Sequence, residues 1–178
     1  MRFFNRIVIG LGIIIIALVV LSFLLPRHVT VARSIIIEAP PARVFAEVNS
    51  LQRYNAWSPW AAIDPQTQYT FSGPDEGVGN TMTWTSDHPD VVSGSQRIIR
   101  STADQVVESL LDFDGLGVAK TRFRLESQGR RTIVTWSFET DMGANPAMRY
   151  VGLFMDDWVG KPFEKGLKSL KSVVESKD

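Results

Sequence analysis

The residues that could take part in catalysis or bind a metal ion are few and scattered in this sequence. His28 and His88 are the two histidines, and the chain has no cysteine. Asp87, His88 and Asp90 form the one cluster that could hold a metal ion, but Pro89 and the polar surroundings favour a surface turn. Because no acid, base and nucleophile recur at a useful spacing, we predict no metal and no cofactor, and we assign no catalytic residue.

Two charged features lie in predicted regular structure. Asp156 and Asp157 are adjacent on a predicted helix, where neighbours point about 100° apart, so both cannot face one substrate and a solvated face is expected. Arg33 interrupts the apolar face of a predicted strand. It could bind an acidic ligand headgroup or extend its charged end toward a membrane surface, and we favour the second role.

A larger set of residues is suited to binding apolar molecules. Aromatic side chains occupy alternating positions of the predicted strands, and methionine and tryptophan occupy the stripe of a predicted helix. For any single member of this set, packing in a core is the commoner role. The predicted ligand-binding residues are Trp84, Phe113, Phe123, Trp136, Phe138, Met155 and Trp158.

The charge of the chain excludes one class of partner. Nineteen basic and 19 acidic residues give a formal net charge of zero. Proteins that bind nucleic acid usually carry a clustered basic face, and none is visible here. We therefore predict no nucleic-acid partner, whereas the oligomeric state is left open.

The segment from Ile7 to Leu25 is uncharged, and Ser22 is its only polar side chain. At about 1.5 Å per residue, a helix of this length crosses the roughly 30 Å of a bilayer core. A cleaved signal peptide usually has a shorter apolar region and a small-residue cleavage site, and a buried helix of a soluble protein usually has a polar face. We predict a transmembrane anchor over residues 1–26 and one soluble domain over 27–178.

The basic residues around the anchor predict its orientation. Arg2 and Arg6 precede it without any acid, and Arg27 and Arg33 follow it. The positive-inside rule then favours a cytoplasmic amino terminus. In a bacterium the protein would be a single-pass inner-membrane protein with its domain on the periplasmic side.

Residues 27–178 predict an α+β domain. His28 to Glu38 alternates as a strand, Ala42 to Asn49 and Leu51 to Trp57 favour short helices, and about six antiparallel strands follow. Asn145-Pro146 then begins a long amphipathic helix with a predicted kink at Gly160 and Pro162. The apolar stripe of this helix comprises Met148, Val151, Met155, Trp158, Phe163, Leu167, Leu170 and Val174.

This order of elements resembles the helix-grip superfamily, also grouped as SRPBCC, of START lipid-transfer domains, birch-pollen allergens and polyketide cyclase/dehydrase-like proteins. The motifs that carry the resemblance are IEAPPARVF at 37–45, LQRYNAWSPW at 51–60, GVGN at 77–80 leading to Trp84, and FEKGL at 163–167. The likeness covers about Val29 to Glu175. It implies a curved antiparallel sheet of about six or seven strands around a long C-terminal helix, with a cavity for lipids, sterols or polyketides between them.

Three functions are compatible with this resemblance. The first, which we favour, is a membrane-tethered, non-enzymatic domain that binds a hydrophobic small molecule or lipid. The second is an enzyme of the cyclase/dehydratase type, with Arg33, Tyr69 or Asp112 as candidate acid or base. The third is a protein-interaction domain like the chaperone co-activators of the superfamily, which a filled cavity and a large exposed apolar patch would favour.

Overall fold

The computed structural model describes residues 2–88 and 91–176 of the chain. Its helices are α1 (Arg2–Ser22), α2 (Pro41–Val48), α3 (Leu51–Trp57), α4 (Pro146–Gly152) and α5 (Lys161–Glu175), with a π-helical turn at Asp156–Gly160. Its strands are β1 (His28–Ile37), β2 (Gln68–Ser72), β3 (Thr81–Thr85), β4 (Gly94–Thr102), β5 (Val106–Asp112), β6 (Val118–Gln128) and β7 (Arg131–Asp141).

The seven strands form one antiparallel sheet in the order β1-β7-β6-β5-β4-β3-β2. Every neighbour in this order is also a neighbour in sequence except the first pair, in which β1 joins β7. A register shift between Ile98 and Arg100 of β4 adds a bulge, and bulges bend the strand that carries them. The predicted curved sheet around a C-terminal helix is confirmed.

The solid part of the core lies where α5 crosses the inner face of the sheet. The rings of Trp136 on β7 and Phe163 on α5 stack with centroids 3.8 Å apart and planes at 8°. Gly166 permits this approach, because a Cβ there would lie 2.8 Å from Trp136 and 2.9 Å from Pro59. Leu167 and Leu170 continue the same helix face into the core.

The GVGN motif holds the short helices against the sheet. The backbone N–H of Leu51 donates to the side-chain oxygen of Asn80 at 2.7 Å, and the side-chain nitrogen of Asn80 donates to the carbonyl of Pro74 at 2.7 Å. The N–H of Gly79 donates to the carbonyl of Ile98 at 2.9 Å. Asn80 is buried, so these bonds satisfy polar groups that would otherwise be costly inside the domain.

The N-terminal helix begins earlier than the predicted segment and also ends earlier. It ends at Ser22 rather than Leu25, and the Ser22 hydroxyl donates to the carbonyl of Val19 at 2.6 Å. Pro26 follows closely, and a proline disfavours helical geometry in the residue before it. Phe3–Ser22 has 20 residues and a mean hydropathy of 2.6, so it is long and apolar enough to cross a membrane, a criterion that a signal sequence also meets.

The predicted long C-terminal helix is interrupted rather than merely kinked. A turn follows α4, and one π-helical turn joins it to α5. Pro162 has no N–H to donate to the carbonyl four residues earlier, which is that of Trp158 within the π-helical turn. The break therefore lies where the helical hydrogen-bond ladder loses a donor.

Candidate functional site

A cavity of about 320 Å³ lies between the sheet and the helical segment around the π-helical turn. Its volume is at the lower end of the roughly 300–1,000 Å³ typical of small-molecule sites. Strands β2 to β7 supply the inner wall, α3 supplies one side, and the π-helical turn with the start of α5 supplies the other. The sheet curves away from the helical segment here, so a hollow remains where the solid core ends.

Six of the seven residues predicted to bind a ligand lie on the wall of this cavity. They are Trp84, Phe113, Trp136, Phe138, Met155 and Trp158. The cavity thus brings together side chains from β3, from the end of β5, from β7 and from the helical segment, which are distant in sequence. Contact of these six residues with a ligand stays a prediction.

Phe123, the seventh predicted residue, is not on the wall of the cavity. Its side chain is 3 % exposed and stacks on Trp136 with centroids 4.8 Å apart. Tyr54 and Trp57 contact the Phe123 ring edge-on, with ring centroids 6.4 and 5.9 Å from its centroid. Because Trp136 is its cross-strand neighbour, Phe123 points inward as expected but packs in the core beside the cavity.

The edge of the cavity at β3 is fixed by Trp84. Its indole N–H donates to the carbonyl of Val92 at 2.6 Å, and its ring meets Phe113 edge-on at 6.4 Å. Gly94 leaves room for the indole, because a Cβ there would lie 2.9 Å from it. The hydrogen bond orients an aromatic wall residue whose position the sequence pattern alone leaves free.

Sequence reasoning missed the polar part of the wall. Besides apolar residues, the wall includes Tyr54, Asn55, Ser58, Tyr69, Gln96 and Thr121. Burial raises the pKa of Tyr54 to about 12, and burial also raises the pKa of Tyr69. Gln96 had a weak signal in the sequence, because it lies two positions before the inward-facing Ile98 and breaks the apolar alternation of β4.

Arg33 is not on the cavity wall, and its charged end is paired with two acids of the helical segment instead of extending freely as expected. Its guanidinium donates to both carboxylate oxygens of Asp156 at 2.9 Å and to Glu164 at 3.0 Å. Hydrogen bonds to these two carboxylates raise the pKa of Arg33, and the bond from Arg33 lowers the pKa of Asp156. Gly160 leaves space for the Arg33 guanidinium, because a Cβ at this position would clash with a guanidinium nitrogen.

The acidic pair is therefore divided between two roles. Asp156 links the π-helical turn to β1 through Arg33, and its side chain is nevertheless exposed, as expected for a solvated face. Asp157 is exposed and lies 3.3 Å from Lys161, one turn later. As predicted from their helical spacing, the two carboxylates point to different surroundings.

Of the three candidate acids and bases, Tyr69 alone lies on the cavity wall. Asp112 is exposed on the outer face of β5, since its neighbour Leu111 points inward, and Arg33 is engaged as described above. Within residues 2–88 and 91–176, the wall carries no aspartate, glutamate, lysine, arginine or histidine.

No group of three or more potential metal ligands occurs in the described part of the chain. The sequence cluster that suggested such a site includes Asp90, which lies outside the described residues. The backbone N–H of His88 donates to the Ser86 hydroxyl at 3.0 Å, as expected in a turn.

A sheet wrapped around a terminal helix with a cavity between them defines the helix-grip class. Residues 28–175 match the family described as polyketide cyclase / dehydrase and lipid transport, and the chain belongs to this family. No curated protein matches the chain.

Solved structures show the same fold at low sequence identity. Norcoclaurine synthase from Thalictrum flavum has a TM-score of 0.64 at 13% identity, over 85% of this chain and 97% of that one. The di-domain ARO/CYC StfQ from the steffimycin biosynthetic pathway has a TM-score of 0.63 at 7% identity, over 84% of this chain and 51% of that one. Protein CV1439 from Chromobacterium violaceum has a TM-score of 0.56 at 18% identity, over 83% and 98% of the two chains.

Proposed function

We propose that this protein is a membrane-tethered binding domain for a hydrophobic small molecule or lipid. Residues 1–26 would be the anchor and residues 27–178 the binding domain. The observation that carries the proposal is the cavity of about 320 Å³, whose wall is built mainly from aromatic side chains and methionine. Such walls bind apolar molecules because they remove apolar surface from water at little cost in polar desolvation.

The chemistry of the wall favours binding over catalysis. General acid–base catalysis needs a group that gains or loses a proton near neutral pH. The described wall residues that titrate are Tyr54 and Tyr69, and burial moves the pKa of each upward, further from neutrality. The cyclase/dehydratase alternative depends on Tyr69, and a Tyr69→Phe variant that binds ligand normally but loses turnover would support it.

Contacts between α1 and α4 support the tethering part of the proposal. The Tyr150 hydroxyl donates to the carbonyl of Leu18 at 2.7 Å, and Arg149 donates to the carbonyls of Ser22 and Phe23 at 3.4 and 3.3 Å. The Arg149 guanidinium also lies 5.1 Å from the centroid of the Phe23 ring. These contacts join α4 to the last turn of α1, which would keep α4 beside the point of membrane exit.

This arrangement would bring the cavity close to the bilayer. Leu153, Phe154 and Trp158 follow α4, and each exposes more than half of its side chain. Phe154 and Trp158 stack with centroids 6.0 Å apart, and Trp158 also lies on the cavity wall. An exposed apolar surface next to a membrane helix suits the interface of a lipid bilayer, from which an apolar ligand could pass directly into the cavity.

Binding is tested with the full-length protein in lipid nanodiscs and the neutral fluorophore N-phenyl-1-naphthylamine. Energy transfer from the wall tryptophans would separate fluorophore in the cavity from fluorophore dissolved in lipid. Leu111→Trp should fill the cavity and reduce the transfer several-fold, because Leu111 is on the wall. Leu110→Trp is the matched control, since Leu110 is exposed on the opposite face of β5. Equal transfer in both variants, or none in the wild type, would refute the binding proposal.

The proposed location is the inner membrane, with the domain on the extracytoplasmic side. A chain without cysteine allows a direct test, because Ser127→Cys places one exposed thiol on the domain. A membrane-impermeant maleimide should label this thiol in intact spheroplasts. Labelling only after lysis would reverse the orientation, and an intact mass lacking the first 26 residues would replace the anchor with a cleaved signal peptide.

A further inference from the structure

The buried polar residues of the cavity wall differ in how their hydrogen-bonding groups are satisfied. The Thr121 hydroxyl donates to the carbonyl of Ser137 at 3.0 Å and accepts from the indole N–H of Trp136 at 2.7 Å. The Tyr54 hydroxyl shares hydrogen bonds with the side chains of Ser58 and Trp60. These groups are already engaged with the protein, so a ligand gains little by approaching them.

Gln96 is the exception. Its side chain is 4 % exposed and lies on the cavity wall, on the same face of β4 as the fully buried Ile98. Its cross-strand neighbours are Met82 and Leu111, which are both apolar. Within residues 2–88 and 91–176, the Gln96 amide forms no hydrogen bond. An amide on this wall leaves one acceptor and two donors without a protein partner, and a buried polar group is normally paired.

We infer that Gln96 is the recognition point for the polar group of a neutral ligand, an inference that rests on the proposed binding function. An amide can donate to a carbonyl and can both donate to and accept from a hydroxyl. Apart from the half-buried amide of Asn55, the rest of the wall is mainly apolar, so the body of the ligand is apolar. The ligand class is an apolar molecule that carries one hydroxyl or carbonyl group.

The same wall disfavours an ionised ligand. A buried carboxylate or phosphate needs a cation or several donors to offset its desolvation. None of the described wall residues is a lysine, arginine or histidine. Arg33, the nearest candidate from the sequence, is committed to Asp156 and Glu164. Fatty-acid anions and phospholipid headgroups are therefore poor occupants of this cavity, whereas alcohols, sterols and ketones fit its chemistry.

The test uses three competitors that share one ring system and displace N-phenyl-1-naphthylamine from the full-length protein in nanodiscs. The competitors are 2-methylnaphthalene, 2-naphthalenemethanol and 2-naphthoate. Wild-type protein should bind 2-naphthalenemethanol about five-fold more tightly than 2-methylnaphthalene, as expected for one net hydrogen bond, and should bind 2-naphthoate most weakly. Empty nanodiscs measure the partitioning of each competitor into lipid.

Gln96→Leu is the decisive variant, because leucine has a similar size and no hydrogen-bonding group. It should abolish the preference for the hydroxyl compound while leaving the binding of 2-methylnaphthalene unchanged or stronger. Replacing an unpaired buried amide with an apolar side chain should also raise Tm, so loss of folding is not expected. Gln128→Leu is the matched control, since Gln128 is exposed at the end of β6, and it should change neither affinity.

Two results would overturn the inference. A hydroxyl preference that persists in Gln96→Leu would show that another group recognises the ligand, and preferential binding of 2-naphthoate would show that the site accepts an anion. In either case 2-methylnaphthalene would still bind, and the proposed binding function would stand. Failure of the wild-type protein to bind the fluorophore at all would remove both proposals together.

Discussion

The two halves of the C-terminal helical segment have similar apolar patterns but different surroundings. In α5, Phe163, Leu167, Leu170 and Val174 are all buried against the sheet and the short helices. In α4, no residue is fully buried, and the segment that follows exposes Leu153 and Phe154. The difference shows that an amphipathic stripe indicates only that a helix faces apolar surface. It does not indicate whether that surface is solid core or the wall of a hollow.

The boundary between the halves is itself stabilised by specific contacts. Arg33 on β1 holds Asp156 before the break and Glu164 after it. Gly166 lets α5 approach Trp136 closely. Beyond this contact, the sheet and the helical segment separate around the cavity. The packed half is thus joined to the less buried half by specific contacts.

The largest effect on stability is expected when a buried apolar side chain is removed from the packed half. Leu170 is 0 % exposed, so Leu170→Ala should lower the free energy of unfolding by about 2–5 kcal/mol through lost burial and a residual cavity. In the other half, Leu153 is 56 % exposed, so Leu153→Ala should change the free energy of unfolding by less than about 0.5 kcal/mol. Urea unfolding of the full-length protein in detergent, followed by tryptophan fluorescence, measures both. Equal losses would mean that the two halves are packed alike.

The next effect is expected at the close approach of α5 to the sheet. Gly166→Ala places a Cβ 2.8 Å from the Trp136 ring and 2.9 Å from Pro59, so the variant should lose about 1–3 kcal/mol despite the better helix propensity of alanine. Ser169→Ala is the control, because Ser169 is exposed on the same helix. The same unfolding assay applies, and a Gly166→Ala variant as stable as this control would show that the helix can shift without cost.

A smaller effect on folding, but a clear effect on binding, is expected at the mouth of the cavity. Trp158 is 57 % exposed yet lies on the cavity wall, so Trp158→Ala should alter Tm little and weaken N-phenyl-1-naphthylamine binding by roughly two- to ten-fold. Phe154→Ala tests the neighbouring ring, which is exposed but is not part of the wall. Equal affinity in wild type and Trp158→Ala would remove Trp158 from the site.

The smallest effect is expected for the ion pair between Arg27, just before β1, and Asp141, at the end of β7. Arg27 binds Asp141 at 2.7 Å, and this hydrogen bond lowers the pKa of Asp141 from its ordinary 3.8 to about 2. A lowered carboxyl pKa stabilises the fold above the ordinary value, and this contribution is lost as the pH falls from about 4 to about 2. Tm of Asp141→Asn should therefore fall less steeply than that of the wild type across this range. Parallel Tm curves would contradict the assignment.

Much of the fold followed from local patterns in the sequence. The alternation of Val29, Val31, Ile35 and Ile37 predicted β1, and Pro41 marked the start of α2. The periodicity of α5 predicted its buried face. These elements are set by short-range spacing and by the need to bury one face, which a single sequence displays directly.

The site was only partly predictable, because side-chain partners come from distant segments. Inward positions on the strands identified four wall residues and the helix stripe identified two more. The strand pattern also selected Phe123, which packs in the core, since alternation does not distinguish core from cavity. The role of Arg33 depends on two acids more than 120 residues later. The unpaired amide of Gln96 is visible only when every possible partner has a position.

The order of the strands has a consequence for synthesis of the protein. β1 is an edge strand whose sole neighbour in the sheet is β7, and the residues that join their ends, Arg27 and Asp141, are 114 positions apart. At roughly 5–20 residues per second, the ribosome needs about 6–23 s to make the partner of a strand that has already emerged. During that delay the apolar face of β1 is exposed directly beside the first helix. The nascent chain therefore carries an unpaired strand until β7 emerges, and unpaired strands favour aggregation.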